Sequence, residues 1–233
     1  MFSNIFGNLN WSVLTDILTS VIPALICITL HELAHGFTAY ALGDRTAKEM
    51  GRLTLNPIKH IDIFGLLMMV IFKFGWAKPV PVNMYNFKKP KWGMAITAIA
   101  GPLLNVVLAV VVMFIYGLVI GALGGAEPSG AVEIIVNIIY ITAYLSVALA
   151  IFNFIPIPPL DGSKVLFSLL PERAYDKLMR YERYGMILLI IFINIDTFFN
   201  TTIFSGTVGR LTESLFEALF KVAIAAYRLV VGV

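Results

Sequence analysis

The chain has 233 residues, 59% of them hydrophobic and 13% charged, with a formal net charge of +3 at pH 7. A soluble domain carries about 25% charged residues, so this composition excludes an ordinary soluble globule, and so small a net charge gives no reason to expect a nucleic-acid partner. The one cysteine, Cys27, excludes an internal disulfide and any cysteine-rich metal site.

Residues 1–10 contain no Lys or Arg and so lack the basic region of a cleavable signal peptide; Phe2, Phe6 and Trp11 suit headgroup depth. From Val13 to Leu42 the chain is apolar for longer than the roughly 20 residues that cross a hydrocarbon core, with a bend expected at Pro23. Gly43-Asp44 ends the run, and Arg45, Lys48 and Arg52 mark that end as cytoplasmic. Residues 43–93 are the least membrane-like part. Within them Ile63 to Phe74 is apolar but too short to span, which suggests a re-entrant element folded against protein. In Lys78-Pro79-Val80-Pro81-Val82-Asn83 the prolines remove the donors along one edge of an extended chain and leave Val80 and Val82 to pair on the other, the pattern of an edge strand.

Ala95 to Leu123 and Val132 to Phe154 read as further spans, joined by a turn at 124–130 with an acid and no base, hence non-cytoplasmic. Pro156, Pro158 and Pro159 break the chain before Asp161-Gly162, and a short apolar helix follows to Leu170. The charged stretch from Pro171 to Arg183 is cytoplasmic. Gly185 to Phe199 reads as another span, and Leu211 to Val231 as a last segment, made amphipathic by Glu213, Glu217, Lys221 and Arg228, so that a membrane-surface helix is its alternative. The expectation is an all-α polytopic membrane protein: about five to six transmembrane helices with a small membrane-associated β or re-entrant element. It forms a single domain over residues 1–233 (core 11–170, C-terminal helices 184–233), with the C-terminus inside.

Chemistry is concentrated at His31-Glu32-Leu33-Ala34-His35. On a helix the two imidazoles lie one turn apart on one face and can share a metal ion, and the glutamate between them can accept a proton from a water that the metal activates. A hydrolytic site needs a third protein ligand, and the residues themselves leave both His60 and Asp161 open. Cys27, one turn before His31, reads as an apolar filler.

Four stretches together resemble the site-2 protease family of intramembrane zinc metalloproteases. They are the His31 to Gly36 motif; Gly51 to Asp62; Ala100-Gly101-Pro102-Leu103-Leu104-Asn105; and Asn153-Phe154-Ile155-Pro156-Ile157-Pro158-Pro159-Leu160-Asp161-Gly162. The resemblance implies His31, His35 and Asp161 as ligands of one zinc ion and Glu32 as the catalytic glutamate. It implies Asn105 and Asn153 as residues lining the site for the substrate or its oxyanion, and Val80 and Val82 in a strand near the substrate. The implied activity is cleavage of transmembrane or signal-peptide-like substrates in the plasma membrane, from an active site nearer the cytoplasm. A catalytically silent binding homologue and a metal-ion transporter are the alternatives.

Overall fold

The structure, a computed structural model, describes residues 11–65 and 76–232. Its framework is four long helices: α1 (Trp11–Ala41), α3 (Pro90–Ala122), α4 (Ala131–Phe154) and α9 (Ile203–Val231). Shorter helices lie between them: α2 (Thr46–Glu49), α5 (Asp161–Ser168), α6 (Glu172–Tyr181), α7 (Gly185–Ile193) and α8 (Ile195–Phe199). Among the described residues three helical stretches are long and apolar enough to cross a membrane: Ile17–Ala41 within α1, all of α3 and all of α4. Pro23 lies inside α1, and Pro90 opens α3, where a missing N–H costs no hydrogen bond.

Helix α3 is central and packs against α1, α4 and α9. The charged residues of α9 keep it out of the apolar set, yet it lies along the bundle. A Cβ at Gly117 would come 2.0 Å from the Ala223 carbonyl oxygen, and one at Gly121 would come 2.9 Å from Val230 Cβ. Glycines at this spacing let two helix backbones approach closely. Because Gly117 meets Ala223 and Gly121 meets Val230, α9 runs parallel to α3. It runs antiparallel to α4, with Tyr144 5.3 Å from Phe216 and Tyr140 6.3 Å from Phe220, ring centre to ring centre. Ala109, Met113, Ala143, Val147, Phe216 and Ala223 form the core they share.

That direction is the reverse of the one expected from alternating crossings. The cause lies in Gly185 to Phe199, which is not one straight helix: it divides at Asn194 into α7 and α8, of 9 and 5 residues. At about 1.5 Å per residue neither piece reaches across a core about 30 Å thick. Asp196 then accepts from Thr201 Oγ1 at 2.9 Å and from Ser205 N at 2.7 Å, closing the turn into α9.

The segment between α1 and α3 closes one end of the bundle. Asp44 is fully buried. Its carboxylate accepts from Thr46 N (3.1 Å), Thr46 Oγ1 (2.5 Å), Asn83 N (2.7 Å) and Asn86 Nδ2 (2.7 Å). Arg52 Nη2 donates to the Lys78 carbonyl at 2.8 Å, and Lys78 N donates to the His60 carbonyl at 2.9 Å. Among the described residues there is no strand; the pairing is one antiparallel bridge between Ile61 and Ala77. Beyond it Pro79 and Pro81 have no N–H, so the ladder cannot continue. The expected re-entrant element lies mostly outside the described residues.

Burial alone would push the Asp44 carboxyl up, but the donors from Thr46, Asn86 and Asn83 outweigh it and hold the group below its ordinary value. A depressed carboxyl contributes stability that is whole above the unfolded value of about 3.9 and is lost as the pH falls through the lower folded value. Hydrogen exchange at the Asn83 amide should therefore stay protected from neutral pH down to about 4 and open below it. Asp44→Asn should lack that acid step; identical profiles would refute the assignment.

Candidate metal centre

His31 and His35 lie one turn apart on α1, with ring centres 4.6 Å apart and planes at 88°. Their Nε2 atoms are 3.0 Å from each other. Asp161, the first residue of α5, brings Oδ2 within 3.1 Å of both. All three residues are buried, at 5%, 8% and 8% exposure. Local chain chemistry delivers Asp161 there. Pro156, Pro158 and Pro159 cannot prolong α4, so the chain folds back, and a Cβ at Gly162 would stand 2.2 Å from the Phe154 carbonyl oxygen. Only glycine permits that approach.

Helix α3 forms the wall behind the imidazoles. Thr97, Gly101 and Asn105, four residues apart, face α1. His35 Nδ1 donates to the Thr97 carbonyl at 2.7 Å, and Asn105 Nδ2 lies 3.2 Å from His31 Nδ1. Between them a Cβ at Gly101 would come within 2.4 Å of His35 Nε2 and 2.7 Å of His31 Cε1. Residue types alone did not single out Thr97 or Gly101. The signal was present as a polar residue and a glycine at the spacing of Asn105 in an otherwise apolar helix.

The donor set suits a metal ion. With its Nδ1 proton given to a carbonyl, neutral His35 presents a lone pair at Nε2. That lone pair faces the Asp161 carboxylate, and two acceptors 3.1 Å apart need a cation between them. The Asp161 carboxylate turns Oδ2 toward both rings. Its other oxygen is 4.0 Å from Lys164 Nζ, which also meets Glu182 at 3.5 Å. Two imidazoles and one carboxylate make a three-ligand hydrolytic site with a position left for water. Among the described residues this is the one cluster of such groups that could hold a metal.

The other expected residues are placed as follows. Glu32, half-buried, accepts from Val80 N at 2.7 Å. Val80 is therefore not free at its N–H; its side chain is buried against Gly36. Val82 N–H has no hydrogen-bond partner among the described residues. Asn105 is fully buried on the far side of His31 from the other ligand atoms. Asn153, half-buried, donates to the Leu149 carbonyl of its own helix at 3.0 Å. His60, left open as a ligand by the residues, is buried elsewhere, its Nε2 2.9 Å from the Thr54 carbonyl. Asp62 accepts from Gly65 N at 2.8 Å. Cys27 Sγ, 3.1 Å from Ser146 Oγ, joins α1 to α4.

Residues 118–195 match the sequence profile of peptidase family M50. The chain is 42% identical over 172 residues to YwhC of Bacillus subtilis, a protein named as an inferred zinc metalloprotease; the match covers 73% of this chain and 78% of YwhC. Rip2 of Mycolicibacterium smegmatis, similarly named, is 28% identical over 72% of this chain and 64% of its own length. Rip2 of Mycobacterium tuberculosis (strain H37Rv) is 25% identical over 72% of this chain and 63% of its own length. No solved structure matches the chain.

The close approach at Gly101 yields a direct test. Gly101→Ala should displace the imidazoles and remove metal binding, read by metal analysis of the purified protein, while the helical circular dichroism is retained. A variant that binds metal as the wild type does would refute this account of α3.

Proposed function

The chain belongs to peptidase family M50, the site-2 protease family, and from that premise we propose that it is an intramembrane zinc endopeptidase, cutting peptide bonds in or near the transmembrane segments of membrane proteins. The observation that carries this reading is the convergence of His31, His35 and Asp161 beside Glu32, on a helix apolar enough to span. His35 lies six residues before the end of α1, about 9 Å at the helical rise. Arg45, Lys48 and Arg52 follow that end, which supports a catalytic centre near the cytoplasmic face of the plasma membrane. Substrates are transmembrane or signal-peptide-like segments.

His31 and His35 through Nε2, and Asp161 through Oδ2, would hold the zinc. When bound, zinc supplies a Lewis acid that polarises the peptide carbonyl and acidifies water. Glu32 accepts the proton of the attacking water on its carboxylate and returns it to the nitrogen of the leaving amine, so the peptide C–N bond breaks with the proton balanced. Asn153, half-buried at the end of α4, can turn its amide from Leu149 toward the developing oxyanion, a contact of the kind worth about 3 kcal/mol.

A transmembrane helix must unwind before its carbonyls can be attacked, and an exposed extended edge can receive the unwound chain by strand addition. The N–H of Val82, without a partner among the described residues, is the pairing donor; the N–H of Val80 steadies the Glu32 carboxylate.

Glu32→Gln should retain zinc but lose at least about 100-fold in cleavage of a helical membrane substrate. Zinc in both proteins and cleavage by neither would overturn the protease reading in favour of a binding homologue. Metal flux indifferent to Glu32→Gln would favour transport. Val82→Pro should abolish cleavage with zinc content intact, and unchanged turnover would dispose of the strand.

A further inference from the structure

We infer that Asn105 is a positioning residue for His31: its amide holds the imidazole at Nδ1, and when metal is bound its Oδ1 takes the Nδ1 proton, leaving Nε2 as a lone pair for the ion. The inference rests on the metal reading of His31, His35 and Asp161.

A neutral imidazole has one N–H. His31 Nε2 lies 3.1 Å from the Asp161 carboxylate, which can only accept. The proton then belongs on Nε2, and Nδ1 is a lone pair. Asn105 Nδ2 stands 3.2 Å from that lone pair and donates to it. Metal binding reverses the demand, because a ligating nitrogen must be unprotonated. The proton moves to Nδ1 and would face the Nδ2 hydrogens, donor against donor. A half-turn of the amide removes the conflict by exchanging Nδ2 for Oδ1. That oxygen is buried and has no hydrogen-bond partner, and Asn105 itself is 0% exposed.

An asparagine, with donor and acceptor at equal reach, thus serves both tautomers of His31. Leucine would serve neither, and aspartate only the metal-bound one. His35 needs no such device, since its Nδ1 meets the Thr97 carbonyl, a backbone acceptor that fixes a single tautomer. One face of α3 therefore holds His35 rigidly and His31 adaptably, with Gly101 leaving room for both rings.

The chain has three histidines, so 15N-histidine labelling of the full-length protein in detergent gives three imidazole spin systems, with His60 identified by His60→Gln. His31 should carry its proton on Nε2 without metal and on Nδ1 after zinc is added. In Asn105→Asp, with a carboxylate at each ring nitrogen, His31 should carry a proton on Nδ1 as well as on Nε2 before zinc is added, and on Nδ1 alone with zinc bound. Asn105→Leu should weaken zinc by about 10–100-fold in chelator competition. Wild-type zinc affinity in the leucine variant, or an unprotonated His31 Nδ1 in the zinc-loaded wild type, would overturn the inference. The wild-type spectra and the near-isosteric aspartate decide the matter if the leucine variant does not fold. A wild type that takes up no zinc would instead overturn the metal reading itself.

Discussion

Two imidazole nitrogens and a carboxylate oxygen lie within 3.1 Å of one another in the interior of an apolar bundle. In a medium of low polarity such a cluster of acceptors is costly unless a positive charge lies among them. The surrounding architecture answers that demand. Prolines stop α4 and turn the chain so that α5 begins with a carboxylate at the right depth. Glycine at 162 lets that turn fold against the end of α4. Thr97 and Asn105 occupy the outer nitrogens of the two rings, so the inner nitrogens are the ones that meet.

Helix α3 performs two jobs with one pattern. Thr97, Gly101, Asn105, Ala109, Met113, Gly117 and Gly121 are all buried and recur every four residues. With about 3.6 residues per turn, a four-residue repeat drifts by roughly 40° at each step. The stripe therefore winds around the helix. Its early residues face the histidines of α1 and its late ones face the backbone of α9. Small residues at both ends of the stripe allow contacts that a side chain would prevent, which is the usual basis of helix association where lipid supplies no hydrophobic drive.

The junction between α1 and α3 is organised by polar groups rather than by apolar burial. Asp44, Arg52 and Glu32 each take up a backbone group of residues 78–83: the Asn83 N–H, the Lys78 carbonyl and the Val80 N–H. The Pro-Val-Pro sequence leaves Val80 as the single donor between Lys78 and Val82. Its engagement with Glu32 ties the expected substrate edge to the expected general base.

Much of this was legible in the residues because it depends on local periodicity. Three long apolar runs correspond to α1, α3 and α4, and histidines four apart on a helix must share a face. Asp161 was narrower: residue chemistry put it only slightly ahead of His60 as a third ligand, and the family motif decided for it. What stayed illegible depends on groups far apart in sequence. No local pattern says that Gly185 to Phe199 divides at Asn194, and hence that α9 returns parallel to α3, because hydropathy records burial and not direction. No local pattern says that Val80 N–H meets Glu32, 48 residues away. Asn105 carries the same lesson, since no local pattern says that its amide meets His31 Nδ1, 74 residues distant. The sequence by itself determined a membrane-embedded helical protein with a two-histidine, one-glutamate metal motif, since composition and helical spacing suffice for both. Only the tertiary structure decided which distant carboxylate joins the histidines and which atoms orient their rings, because hydrogen bonds and coordination are set by distances of about 3 Å between atoms that the chain order leaves far apart.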